Sequence, residues 1–127
     1  MALQHVPGLY YGPSEIHGRG VFCAVDVQAG DVLEICPVVV LDLDENQWLQ
    51  RSRLFEYYFI WAGGKPAITL GFGSLYNHAE APNADFIPDY GSDLIVFVAL
   101  EMIPAGKEIT IDYQAGAKKR ELWFVPK

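Results

Sequence analysis

The sequence predicts a mostly-β domain with one short helix, and three observations carry that reading. Short β-branched and aromatic runs recur along the 127 residues and are cut apart by Gly and Pro. Only one stretch, beginning Asp42-Leu43-Asp44-Glu45-Asn46, looks like a helix start. Val27-Gln28-Ala29-Gly30-Asp31-Val32-Leu33 and Ile103-Pro104-Ala105-Gly106-Lys107-Glu108-Ile109 share an order of apolar, any residue, Ala-Gly, charged, then strand. The repeat is too short for a solenoid, and two similar β units packed together would produce it.

In chain order, residues 1–7 read as a loose end and Leu9-Tyr10-Tyr11 as a short strand stopped by Gly12-Pro13-Ser14. His17-Gly18-Arg19-Gly20-Val21-Phe22-Cys23-Ala24 places glycines on both sides of Arg19 before a β-like run. By itself that Gly-x-Gly is a tight turn needing positive φ. Val32 to Leu41 is a strand with Pro37 inside it, so it is expected at an edge or with a bulge there. The helix, capped by Asp42 or Asp44, is expected to run to about Arg53. Leu54 to Trp61 is the most aromatic run and reads as a strand, turned by Gly63-Gly64-Lys65-Pro66 into a hairpin with Ala67 to Leu70. Ala84 to Pro88 and Leu94 to Leu100 are two further strands joined by Asp89-Tyr90-Gly91-Ser92-Asp93. A polar and basic tail from Gln114 to Arg120 leads to Leu122-Trp123-Phe124.

Length and composition bound the function. A chain of 127 residues suits one domain, 1–127, and 51% hydrophobic residues argue against disorder. A net charge of -7 disfavours nucleic acid and suits a basic partner such as a lysine-rich peptide, or serves solubility alone. Cys23 and Cys36 lie in apolar runs without CxxC spacing, which reads as two buried free thiols in a reducing compartment. His5, His17 and His78 have no metal-ligand spacing with them, so no metal site is expected. There is no signal-peptide pattern and no apolar run near the ~18 residues that span a membrane, so the product is expected to be soluble and intracellular. No GxGxxG opens a helix, which leaves the usual dinucleotide fold unsupported.

The chemistry concentrates in Gly71-Phe72-Gly73-Ser74-Leu75-Tyr76-Asn77-His78-Ala79-Glu80-Ala81-Pro82-Asn83. Two glycines one residue apart allow close backbone approach, and Asn77 and His78 carry donors and acceptors on short or rigid side chains. A plain surface loop would not need Phe72, Leu75 and Tyr76 in between. The stretch reads as a buried loop holding polar groups against a ligand.

Four segments now stand in order: Gly18-Arg19-Gly20-Val21-Phe22, Tyr76-Asn77-His78 with Pro82-Asn83, Gly106-Lys107-Glu108-Ile109-Thr110, and Ile111-Asp112-Tyr113. This order resembles the SET-domain protein lysine methyltransferases, whose motifs run G-x-G-V-F, N-H-S-x-x-P-N and G-E-E-I-T-x-D-Y. The match spans roughly Tyr11 to Phe124, at the compact length of minimal viral and bacterial members. The resemblance implies a β-clip fold of small curled sheets with a C-terminal pseudoknot that sets Asn77-His78 beside Tyr113.

It also implies transfer of a methyl group from S-adenosylmethionine to a lysine side chain of a basic protein such as a histone tail, leaving S-adenosylhomocysteine. Cofactor and peptide would enter from opposite faces, joined by a narrow channel. By resemblance, backbone around His17, Arg19 and Gly20 holds the methionine end of the cofactor, and Asn77 and His78 meet its amino group and adenine edge. Tyr113 takes the transfer position and orients the amine rather than acting as a bulk base. Tyr57, Tyr76 and Ile111 join Tyr113 along the channel, with Tyr57 also reaching the cofactor. An isoleucine at 111, without a hydroxyl, suggests that more than one methyl is added. Trp123 or Phe124 would cover the adenine or the channel mouth. Ala79 stands where the family has Ser, Gln114 where it has Gly, and no cysteine follows Tyr113. A zinc-binding post-SET module is therefore not expected, and the C-terminal aromatics or the second subunit of a homodimer must close the site. The competing reading is a non-catalytic β-clip module that binds a peptide or small ligand; an enzyme methylating a small amine is a third.

Overall fold

The computed structural model describes residues 4–113. Among the described residues, nine strands and one short α-helix follow in order, with 3-10 turns between some of them: β1 (Leu9–Pro13), β2 (Arg19–Cys23), β3 (Val32–Val40), α1 (Asn46–Gln50), β4 (Tyr58–Ile60), β5 (Pro66–Thr69), β6 (Asn77–His78), β7 (Ala84–Asp89), β8 (Leu94–Ala99) and β9 (Thr110–Ile111). They form an antiparallel β1-β2 ribbon, a five-stranded sheet ordered β4-β5-β3-β8-β7, and a parallel β6-β9 pair. Val21, Val27, Leu33, Phe97, Ile103, Ile109 and Ile111 are fully buried between them. Cys23 and Cys36 are buried free thiols.

The internal repeat has a structural counterpart. Val27 N–H donates to the Ile103 carbonyl at 2.9 Å and Ile103 N–H donates back to Val27 at 2.8 Å. Gly30 and Gly106 take φ of 88° and 82°, which glycine adopts without a side-chain clash. Their N–H groups close on the last carbonyls of β8 and β2, Ala99 and Cys23. The repeated Ala-Gly thus turns the chain twice in the same way, and the two turns pair with each other.

Three expectations are corrected. The strand containing Pro37 is neither at an edge nor bulged there. It runs through the sheet and changes partner at the proline: Val32 to Pro37 pairs with β8, and Val38 to Val40 pairs with β5. A missing N–H costs little where one ladder ends and the next begins. The irregularity lies instead between Val32 and Glu34. The aromatic run from Leu54 is a strand only from Tyr58, because Arg53–Glu56 forms a 3-10 turn. The Ser52 hydroxyl accepts from Leu54 N–H at 3.2 Å and Tyr57 N–H returns to the Leu54 carbonyl at 2.9 Å. Local side-chain capping overrides strand composition there. Helix α1 is correspondingly shorter than expected, ending at Gln50.

Candidate active site

The parallel β6-β9 pair brings the asparagine-histidine corner to the late tyrosine. Asn77 lies opposite Thr110 and His78 opposite Ile111, and Ala79 N–H donates to the Ile111 carbonyl at 3.0 Å. Asn83 fastens the same two segments: its Nδ2 donates to the Glu108 carbonyl at 2.9 Å, and its Oδ1 accepts from Thr110 N–H at 2.8 Å. Two residues beyond β9, the Tyr113 hydroxyl donates to the Tyr76 carbonyl at 2.8 Å, and its N–H donates to His78 Nδ1 at 3.2 Å. The His78 and Tyr113 rings stack with centroids 5.8 Å apart and planes within 10°. Phe59 meets Tyr113 edge-on at 6.0 Å. Burial pushes the Tyr113 phenol up to about 12, so it keeps its proton near neutrality and acts as a donor. Because His78 Nδ1 accepts a backbone hydrogen, its remaining donor is Nε2–H. Asp112 Oδ1 is 3.6 Å from the same Nδ1.

Asn77 holds the β1-β2 loop. Its amide nitrogen lies 3.1 Å from Ser14 Oγ, 3.0 Å from the His17 carbonyl, 2.9 Å from the Arg19 carbonyl and 2.8 Å from Glu108 Oε2. Ser14 donates to the other Glu108 oxygen at 2.7 Å. With the two N–H bonds spent on protein acceptors, Asn77 Oδ1 is the side-chain atom left to accept from a ligand's amino group. The structure gives Gly20 a specific reason: a Cβ there would collide with the Glu108 carboxylate and crowd Asn77. The close approaches of Gly71 and Gly73 are likewise to protein, the side chains of Glu34 and Thr69. Of the two glycines flanking Arg19, only Gly18 has positive φ, 51°.

Two hollows meet at these residues. One, about 290 Å³, is lined by Ile16, Phe55, Glu56, His78 and Tyr113 among others. The second, about 250 Å³, is lined by Gly18, Arg19 and Leu75. His17, Tyr57 and Asn77 border both. A larger hollow of about 470 Å³ is lined by Phe22, Asn83, Glu101 and Glu108, shares Ile16 with the first hollow, and includes none of His17, Tyr57, His78 or Tyr113.

The expected site residues sort as follows. His17, Arg19, Tyr57, Asn77, His78 and Tyr113 border the paired hollows, and Gly20 lies directly behind them against Asn77. Tyr76 also borders the first hollow; its ring is 1% exposed and stacks on Phe97 at 4.3 Å, and its carbonyl accepts from the Tyr113 hydroxyl. The Ile111 side chain is fully buried and does not line either hollow. Trp123 and Phe124 lie outside the described residues. Sequence reasoning missed Ser14 and Glu108, which build the Asn77 network, and Phe55 and Glu56 at the cavity wall. Glu108 lies within the Gly106-Lys107-Glu108-Ile109-Thr110 segment, and a carboxylate just before a buried apolar run was the available signal.

Comparison with known proteins defines the class. A family model for the SET domain matches residues 18–114. Over 112 residues, 87% of this chain and 73% of the relative, the sequence is 34% identical to a Schizosaccharomyces pombe protein named histone-lysine N-methyltransferase, H3 lysine-37 specific. The fold is similar to the crystal structure of a provisionally assigned histone methyltransferase of Plasmodium falciparum, with TM-score 0.71 and 27% identity, covering 85% of this chain and 94% of that one. The chain belongs to the SET-domain family.

Proposed function

We propose that this chain, a protein-lysine methyltransferase by family, uses S-adenosylmethionine and acts on a lysine in a basic protein tail such as that of a histone. The observation that carries the reading is the Tyr113 phenol, held by the Tyr76 carbonyl at the wall of a hollow shared with Asn77 and His78.

The residues present fit the cofactor. Asn77 Oδ1 offers an acceptor to its amino group, His78 Nε2–H a donor to its base, and Tyr57 and Ile16 apolar walls. When bound, S-adenosylmethionine supplies a methyl group activated by a positive sulfur. The protein's part is to present a neutral lysine amine in line with it. An aromatic wall of Tyr57, Phe55 and Tyr113 disfavours the ammonium form by desolvation, which brings the lysine below its usual ~10.4. Glu56, also lining the hollow, attracts the incoming cation before that desolvation. The Tyr113 hydroxyl and the Tyr76 carbonyl orient the amine, and an attack geometry held in this way supplies part of the ~7–11 kcal/mol available to orientation. The proton lost from the ammonium leaves to water, so Tyr113 never ionises.

The proposal extends to a threaded C-terminal segment, to closure of the hollow by Trp123, Phe124 or a second subunit, and to action inside the cell. Incubation with labelled S-adenosylmethionine and a panel of basic proteins tests the reading. Label on lysine in at least one basic protein, lost in Tyr113→Phe, supports it. Failure to bind the cofactor in calorimetry points to the non-catalytic module.

A further inference from the structure

Glu34 is a buried carboxylate, 4% exposed, the third residue of β3, just after its register irregularity. Its Oε2 accepts from Phe72 N–H at 2.9 Å, and its Oε1 accepts from the Tyr76 hydroxyl at 2.9 Å. Gly71 supplies the room, since a Cβ there would meet the carboxylate. Burial, then the adjacent Glu34 charge, hold the Tyr76 phenol well above its usual range, so its proton stays on the bond to Glu34. The same Tyr76 accepts the Tyr113 hydroxyl on its carbonyl at 2.8 Å. One residue is therefore gripped at its ring end by Glu34 and holds Tyr113 at its backbone end.

We propose that Glu34 is a positioning residue for methyl transfer, fixing the Tyr113 hydroxyl through Tyr76; this rests on the function proposed above. Burying a carboxylate carries a desolvation cost that Phe72 N–H, the Tyr76 hydroxyl and the neighbouring Cys36 thiol only partly offset. An apolar residue would fill β3 as well. What the carboxylate adds is a fixed rotation of the Tyr76 ring and a fixed position for the Phe72 to Tyr76 loop, and hence a fixed direction for the Tyr76 carbonyl.

The test compares Glu34→Leu and Tyr76→Phe, which both break the grip; the second keeps the ring and the carbonyl. Ile95→Ala, a buried β8 residue with no part in the chain of bonds, is the stability control. The expected result is a loss of about tenfold in kcat, part of the ~100-fold that a misplacement of about 1 Å can cost. KM for the cofactor stays within about twofold, and the double variant is no worse than the poorer single one. Ile95→Ala, although less stable, keeps its kcat. The proposal is overturned if Tyr76→Phe turns over like the wild type, or if kcat follows thermal stability across all variants. A second readout does not need activity. The Tyr113 ring-carbon resonance in tyrosine-labelled protein, assigned with Tyr113→Phe, moves in Glu34→Leu and Tyr76→Phe and not in Ile95→Ala. If the wild type transfers no methyl group, the proposed function fails, while this resonance still decides the positioning role.

Discussion

Tyr113 donates to a carbonyl, stacks on a histidine and meets Phe59 edge-on, and the burial these contacts create favours its neutral form. Burial raises it to about 12 from an ordinary value near 10. The folded state therefore binds this proton more tightly than the unfolded state. Its contribution to stability is complete below about pH 10 and is lost as pH rises toward 12. Tyrosinate absorbance should show one phenol titrating at about pH 12, absent in Tyr113→Phe; titration with the bulk of the tyrosines near 10 would contradict the burial described. The sequence named Asn77, His78 and Tyr113 because short motifs fix residue types around a shared task. It did not name Glu34 or Ser14, whose contacts with Phe72, Tyr76 and Glu108 join positions 38 to 94 apart in the chain. It placed Tyr76 along the channel, and Tyr76 does border the hollow, but the sequence could not show that its ring stacks on Phe97 in the core.

At the scale of elements, the site depends on three segments stapled side by side: the β1-β2 loop, β6 and β9. Asn83 is 5% exposed and bonds to Glu108 and Thr110. Asn83→Ala leaves the buried Thr110 N–H without its partner, at a cost of about 1–3 kcal/mol. A thermal midpoint unchanged from the wild type would show that the staple is unnecessary. Gly20→Ala forces the Glu108 carboxylate from beneath Asn77, and overpacking of this kind costs about 1–3 kcal/mol. Calorimetry should find weaker cofactor binding in that variant; equal affinity would separate the Asn77 network from the ligand. The hairpin β4-β5, the pair β7-β8 and the Ala-Gly repeat were legible, since turn residues and β-branched runs act locally. The partner change at Pro37 and the 3-10 turn at Arg53–Glu56 were not, because one depends on neighbouring strands and the other on the Ser52 hydroxyl overriding an aromatic run.

For the whole molecule, a net charge of -7 favours encounter with a cationic tail. Screening falls off over about 8 Å at physiological salt, so kcat/KM for a basic peptide should drop as salt is raised while cofactor affinity changes little. Insensitivity to salt would leave the acidic surface to solubility alone. Composition indicated this direction of attraction; it carried no information about which tail is bound.

The central claim is that segments far apart in sequence converge so that Tyr113 aims a lysine amine at a transferable methyl group. The most direct measurement is single-turnover methyl transfer from a preformed complex of enzyme and labelled S-adenosylmethionine to a lysine peptide, in the wild type and in Tyr113→Phe. The account predicts transfer in the wild type and a loss of about a hundredfold in the variant, with cofactor affinity retained. Equal single-turnover rates in the two proteins would contradict it.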